Sequence, residues 1–145
     1  MIKINRKVEY ALIVLQHLQQ ADEGIYVTAR AICDQYHTPF DTTSRVMQIM
    51  NQQNILNSQQ GTKGGYKLAT DLNKINYLEL VELIEGKKVS KECSEIKCSL
   101  LESCNISGPI TKLNEYLLYY FQGLSLKELL TDAPSPLSII KESRI

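Results

Sequence analysis

The sequence predicts a mainly α-helical fold carrying one small β-hairpin. Three observations support this expectation. Apolar residues recur at three- and four-residue intervals along several stretches, capping residues stand at the heads of those stretches, and two short extended runs flank a segment containing Gly61, Gly64 and Gly65. The 145 residues, 43% of them hydrophobic, suffice for the core of one ordinary domain or two small modules.

The first helix is expected from Ile4 to Gln20, with Ile4, Val8, Ala11, Leu12, Leu15 and Leu18 on its apolar face. Asp22-Glu23-Gly24 ends it, and Ile25-Tyr26-Val27 is a brief extended piece leading to Thr28, an N-cap residue. A second helix then spans Ala29 to Tyr36, where Cys33 sits beside Ala31 and Ile32 and reads as a packed core residue. Thr38-Pro39-Phe40-Asp41 starts a third helix reaching about Gln52, with Thr38 as N-cap and Pro39 in the first helical position. Val46, Ile49, Met50 and Gln53 are expected to face inward with Thr42 or Thr43, leaving Asp41, Arg45 and Gln48 on a polar outer stripe. Two helices joined by a tight turn, the second exposing hydrogen-bonding side chains, form the helix-turn-helix arrangement that lays its second helix in the major groove.

Ile55 to Ser58 and Tyr66 to Ala69 are the expected strands of the hairpin, which completes a winged helix-turn-helix. Its glycines do not make a nucleotide phosphate loop, because no G-K-[ST] is present and no helix follows directly. A wing meeting the DNA backbone through Lys63 and nearby N–H groups is the better reading. Asn76 with Glu79 opens a further helix, whose Tyr77, Leu80, Val81 and Ile84 share a face before Gly86 stops it. Ser107-Gly108-Pro109 begins a long C-terminal helix with Ile110, Leu113, Leu117, Tyr120 and Leu124 at heptad spacing. That stripe fits either a partner helix across a homodimer or the core of the same subunit. Ser125 with Glu128 caps a last turn through Leu130, and the Pro- and Ser-containing tail follows. The expected organisation is residues 1–72 as the winged helix-turn-helix, 73–130 as cysteine loop and dimerisation helix, and 131–145 as a flexible tail.

Between the last two long helices lies C-S-E-I-K-C-S-L-L-E-S-C, which places Cys93, Cys98 and Cys104 within twelve residues. Thiolates this close can converge on one soft metal centre. Zinc generally needs four good ligands and closer pairs, so an iron-sulfur cluster with one non-thiolate ligand fits three cysteines better. Three unligated surface thiols and a zinc site are the alternatives.

The formal net charge is zero, with seven Lys and Arg against five Asp and Glu over residues 1–67. Contact with nucleic acid must therefore come from a local patch drawn from Lys3, Arg6, Lys7, Arg30, Arg45, Lys63 and Lys67. No acid, base and nucleophile assemble in the sequence, and His17 and His37 fall in helical and turn contexts, so catalysis is not expected. The N-terminal stretch, interrupted by Glu9, Gln16 and His17, reads as neither a secretory signal nor a membrane span, so a cytoplasmic protein without membrane association is expected.

V-E-Y-A-L at Val8 to Leu12, G-T-K-G-G-Y-K-L-A at Gly61 to Ala69, L-V-E-L-I-E-G ending at Gly86, the three cysteines and G-L-S-L-K-E-L from Gly123 to Leu129 together resemble a known family. It comprises the winged-helix transcription regulators that include the iron-sulfur regulator IscR and the nitric-oxide-sensing NsrR, and the resemblance extends to about Leu130. It implies a homodimer with crossing C-terminal helices that binds a double-stranded DNA operator. It also implies a 2Fe-2S or 4Fe-4S cluster on Cys93, Cys98 and Cys104, with an acidic fourth ligand at Glu9 reaching the other subunit's cysteine loop. Cys33, Ser107 and a histidine are the other candidates for that ligand. The chain departs from the pattern in three places: the first cysteine gap is one residue short, Ser107 stands where IscR-like proteins supply a histidine, and Gln60 replaces a common wing arginine. A cluster-free regulator and a small iron-sulfur electron carrier are the competing functions.

On this reading Thr38, Asp41, Thr42, Arg45, Gln48, Lys63 and Arg6 are the DNA-contact candidates. Ile110, Leu113, Leu117 and Tyr120 are those for dimerisation.

Overall fold

The computed structural model describes residues 4–89 and 98–132. Helix α1 runs Arg6–Gln20, two residues later than expected, because Asn5 accepts from the Lys7 amide at 2.9 Å and so caps the helix. Ile4 is left outside and exposed, while Val8, Ala11, Val14, Leu15 and Leu18 are buried. Helix α2, Ala29–Tyr36, starts where Thr28 Oγ1 accepts from Ala31 N, and its Ile32 and Cys33 are buried. His37, in the left-handed region at φ 54°, makes the turn.

Helix α3, Phe40–Gln52, corrects two expectations. Pro39 stands at the N-cap with no side-chain bond, and the Thr38 hydroxyl is used elsewhere, accepting from Thr43 Oγ1 at 2.9 Å. That bond lets Thr43 be fully buried, since a buried hydroxyl without a partner would cost about 1–3 kcal/mol. The inward face is Thr43, Val46, Met47 and Met50; Gln53 lies past the helix end and is exposed. Met47 shares a side of the helix with Thr43 and Met50 and is fully buried in the cluster that α3 forms with α1 and α4.

Strands β1 (Leu56–Gln59) and β2 (Gly65–Leu68) pair antiparallel with Leu56 opposite Leu68 and Gln59 opposite Gly65. Val27 adds an isolated antiparallel bridge to β2, exchanging two 2.8 Å bonds with Tyr66. This close approach dictates glycine at 65, where a Cβ would stand 2.6 Å from the Val27 carbonyl carbon at φ +137°. Gly64 is equally constrained, since a Cβ there would lie 2.2 Å from the Gln59 carbonyl oxygen.

After a 3₁₀ turn at Leu72–Lys74, α4 (Tyr77–Glu85) opens on a complete Asn76–Glu79 capping box and closes on Gly86 at φ 69°. Its Leu78, Leu80 and Ile84 are buried. Helix α5 spans Ser107–Gly123, and α6 spans Leu126–Leu129 with Ser125 Oγ accepting from Glu128 N. The segment after α5 is tied back by Tyr77 N to Leu124 O at 2.8 Å and Leu126 N to Ile75 O at 2.9 Å. One hydrophobic cluster therefore takes in Val8, Leu15 and Met50 together with Leu80, Ile84 and Leu126. The expected tail lies outside the described residues beyond 132. No described helix is long and apolar enough to cross a membrane.

Candidate functional site

The turn between α2 and α3 leaves the beginning of α3 at the surface. Asp41, Arg45 and Gln48 are exposed along one stripe, and Thr42 is half-buried beside them. Lys7, Asp41, Thr42 and Arg45 border a groove of about 580 Å³ whose far wall is the end of α4 at Glu85 and Gly86. Lys63 is exposed at the wing tip, and a second groove of about 620 Å³ separates it from Tyr26, Val27 and Thr28. The wing and the start of α3 thus present cations and hydrogen-bonding side chains, the composition of a surface that tracks a phosphate backbone and a groove.

Two stacked pairs on this surface are absent from the sequence reading. The Arg30 guanidinium carbon sits 4.2 Å from the Phe40 ring centroid, and Lys67 Nζ stands 5.0 Å from that of Tyr26. Arg30 counts among the seven local cations, but nothing in the sequence links it to Phe40, ten residues on. The only foretaste is an aromatic residue directly after the proline that starts a recognition helix.

Arg6 and Glu9, expected at different partners, are brought together instead: Arg6 Nη1 donates to Glu9 Oε2 at 2.8 Å. The pair is well exposed, so it contributes under about 1 kcal/mol and is easily exchanged.

Of the cysteines, Cys93 lies outside the described residues. Cys98 is exposed and Cys104 half-buried, at the two ends of a 3₁₀ turn over Leu101–Ser103 held by Leu101 N to Cys98 O and Ser103 N to Leu100 O. Leu100, Leu101 and Ile106 are exposed around them, Leu100 at 63%. Cys33 is buried in the core, as its apolar neighbours imply. Among the described residues no three His, Cys, Asp or Glu side chains gather as a metal site. The donors present nevertheless suit a soft metal in kind: two free thiols on an accessible turn.

Along α5, Ile110, Leu113 and Tyr120 are exposed and Leu117 is half-buried; Tyr116 and Tyr119, absent from the heptad list, are exposed as well. The buried residue of α5 is Leu118, with Phe121 edge-on to Tyr77 at 5.0 Å.

A helix-turn-helix with a two-stranded wing and a polar stripe on its second helix defines a DNA-binding protein of the winged-helix class. The chain belongs to the Rrf2 family, whose model, described as an iron-dependent transcriptional regulator, matches residues 4–132. The protein is thus a DNA-binding transcriptional regulator, not an enzyme. It is 25% identical over 127 residues to a protein of Aquifex aeolicus (strain VF5) assigned as an HTH-type transcriptional regulator, spanning 85% of this chain and 88% of that one. Among solved structures, CymR (YrzC), the global cysteine regulator of B. subtilis, superposes with a TM-score of 0.70 at 15% identity, covering 92% of this chain and all 100% of that one. A transcriptional regulator from Listeria innocua gives 0.70 at 21% identity, covering 94% and 92%. IscR of T. potens gives 0.64 at 15% identity, covering 99% and 92%. At these identities the structural likenesses speak for the fold.

Proposed function

We propose that this regulator binds its operator as a homodimer and that an iron-sulfur cluster, 2Fe-2S or 4Fe-4S, held by Cys93, Cys98, Cys104 and Glu9 controls the affinity. The observation that carries this reading is the contrast among the cysteines. Cys33 is sealed in the core, whereas Cys98 and Cys104 bracket an accessible turn rimmed by exposed Leu100, Leu101 and Ile106. Such an apolar rim around two free thiols suits a loop covered by another subunit. When bound, a cluster supplies a centre reactive toward redox change, oxygen and nitric oxide.

The chain's own residues set the DNA contact. Asp41, Thr42, Arg45 and Gln48 face base edges, Thr38 braces the helix start through Thr43, and Lys63 and Arg6 meet phosphates. The exposed pair of Arg6 with Glu9 is weak enough to be exchanged for a phosphate. Ile110, Leu113, Leu117 and Tyr120 cover their symmetry mates in a two-fold dimer, which places two recognition helices about one DNA turn apart or a multiple of it. An imperfectly palindromic operator follows.

Protein purified without oxygen should absorb in the visible, lose that absorbance in Cys104→Ser and Glu9→Ala, and keep it in Cys33→Ala. Operator retardation should change when the colour is bleached. A second reading, a regulator of this family without a cluster, is favoured by the Glu9 carboxylate already resting on Arg6 at 2.8 Å. Colourless, iron-free protein with full operator affinity would select it.

A further inference from the structure

We infer that Arg30 and Phe40 together read a thymine: the Phe40 ring packs on the 5-methyl group in the major groove while Arg30, stacked on that ring, holds the neighbouring phosphate. The inference rests on the DNA-binding role of α3 and adds two residues to it.

Phe40 is the first residue of α3, the end of a recognition helix that reaches base edges. The buried face of α3 is Thr43, Val46, Met47 and Met50, and Phe40 is 40% exposed outside the core cluster. A large apolar ring left at the surface where the base edges arrive needs an apolar counterpart. In the major groove of unmodified DNA the thymine methyl is that counterpart, since the other bases offer only donors and acceptors there.

Arg30 supplies the second half. It projects from α2, the helix that crosses the backbone in a helix-turn-helix, and is exposed. Among the described residues it has no carboxylate partner, the ion pairs there being Arg6–Glu9 and Lys88–Glu82. Lying 4.2 Å over the ring, the guanidinium is held without losing its N–H edges, which remain free to donate to phosphate oxygens. A lysine keeps the charge but not the planar stack. The stack fixes both side chains before DNA arrives, so the ring's orientation toward the base is set by Arg30 as much as by the helix.

The test uses an operator enriched from random duplex DNA by the full-length protein. Each thymine is then replaced singly by uracil, which removes the methyl and leaves every hydrogen-bonding edge intact. One thymine in each half-site should weaken wild-type binding about four-fold on replacement, the worth of one buried methyl. Phe40→Ala should bind the thymine and uracil operators equally. Arg30→Ala should lower the salt slope by about two units, one for each subunit of the dimer, and reduce the methyl sensitivity. Arg30→Lys should restore the slope without restoring the sensitivity. Wild-type binding indifferent to uracil at every thymine overturns the inference without any variant having to fold, as does undiminished uracil sensitivity in Phe40→Ala. Failure to enrich any sequence instead overturns the DNA-binding role on which it rests.

Discussion

Helices α1 and α5 have similar lengths, 15 and 17 residues, yet α1 buries five side chains and α5 buries one, Leu118. Both carry apolar residues at helical spacing. The difference lies in what surrounds them: α1 packs against α2, α3, α4 and β2, whereas α5 leans on α4 and leaves Leu113, Tyr116, Tyr119 and Tyr120 at least half exposed. An apolar stripe is thus a demand for cover, and only the packing shows whether the same chain supplies it.

The sharpest way to break this comparison is to truncate each stripe. Leu15→Ala in α1 leaves a void in a closed core and should cost about 2–5 kcal/mol of unfolding free energy by chemical denaturation, at any protein concentration. Leu117→Glu in α5 should instead halve the sedimenting mass and lower operator affinity on the order of 100-fold, because two half-sites no longer share one protein. If Leu117→Glu leaves the mass unchanged, the α5 stripe is not a dimer seam.

A smaller effect separates the two roles of the exposed polar surface. Arg45→Ala should weaken operator binding by about 1–3 kcal/mol and relax sequence preference, while Lys63→Ala should chiefly flatten the salt dependence. Equal affinity for Arg45→Ala and the wild type would remove Arg45 from the base-reading stripe. Next comes the start of α4, the helix that joins both regions. Asn76→Ala removes one half of the capping box and should cost about 1 kcal/mol, read as a lowered thermal midpoint.

The smallest concerns Tyr77, where α4 meets α5. Its phenol is held above the ordinary tyrosine value of 10.0, first by burial and then by the nearby Glu85 charge. The folded state thus keeps this proton longer than the unfolded one. The associated stability is fully present below the ordinary value and is lost as pH rises through the raised one. The difference between UV titrations of the wild type and Tyr77→Phe should show a phenol ionising above that ordinary value, and the delay should vanish on unfolding.

Much of the fold was legible in the chain because its signals are local. Thr28, Asn76 with Glu79, Ser125 and Gly86 act on amides within four residues, so each boundary they predict stands where the structure has it. Boundaries that depended on alternatives of similar local quality slipped: Asn5 displaced the start of α1, and Thr38 gave up the cap of α3. The candidate site was legible to the same degree. The polar stripe and the wing could be read from spacing, and Cys33 could be separated from the loop cysteines by its neighbours.

By itself, then, the sequence determined the order of elements, the caps at Thr28, Asn76 and Ser125, the glycines of the wing and the resemblance that the family match bears out. Only the tertiary structure decided which side chains meet. Met47 rather than Gln53 enters the core, Leu118 rather than Leu117 is the buried residue of α5, and Arg30 stacks on Phe40. These choices turn on the rotation and extent of a helix, one residue being about 100° about its axis, or on two side chains from different elements arriving at one point. Spacing along a chain constrains neither, because both are set by the shapes of the surfaces that pack.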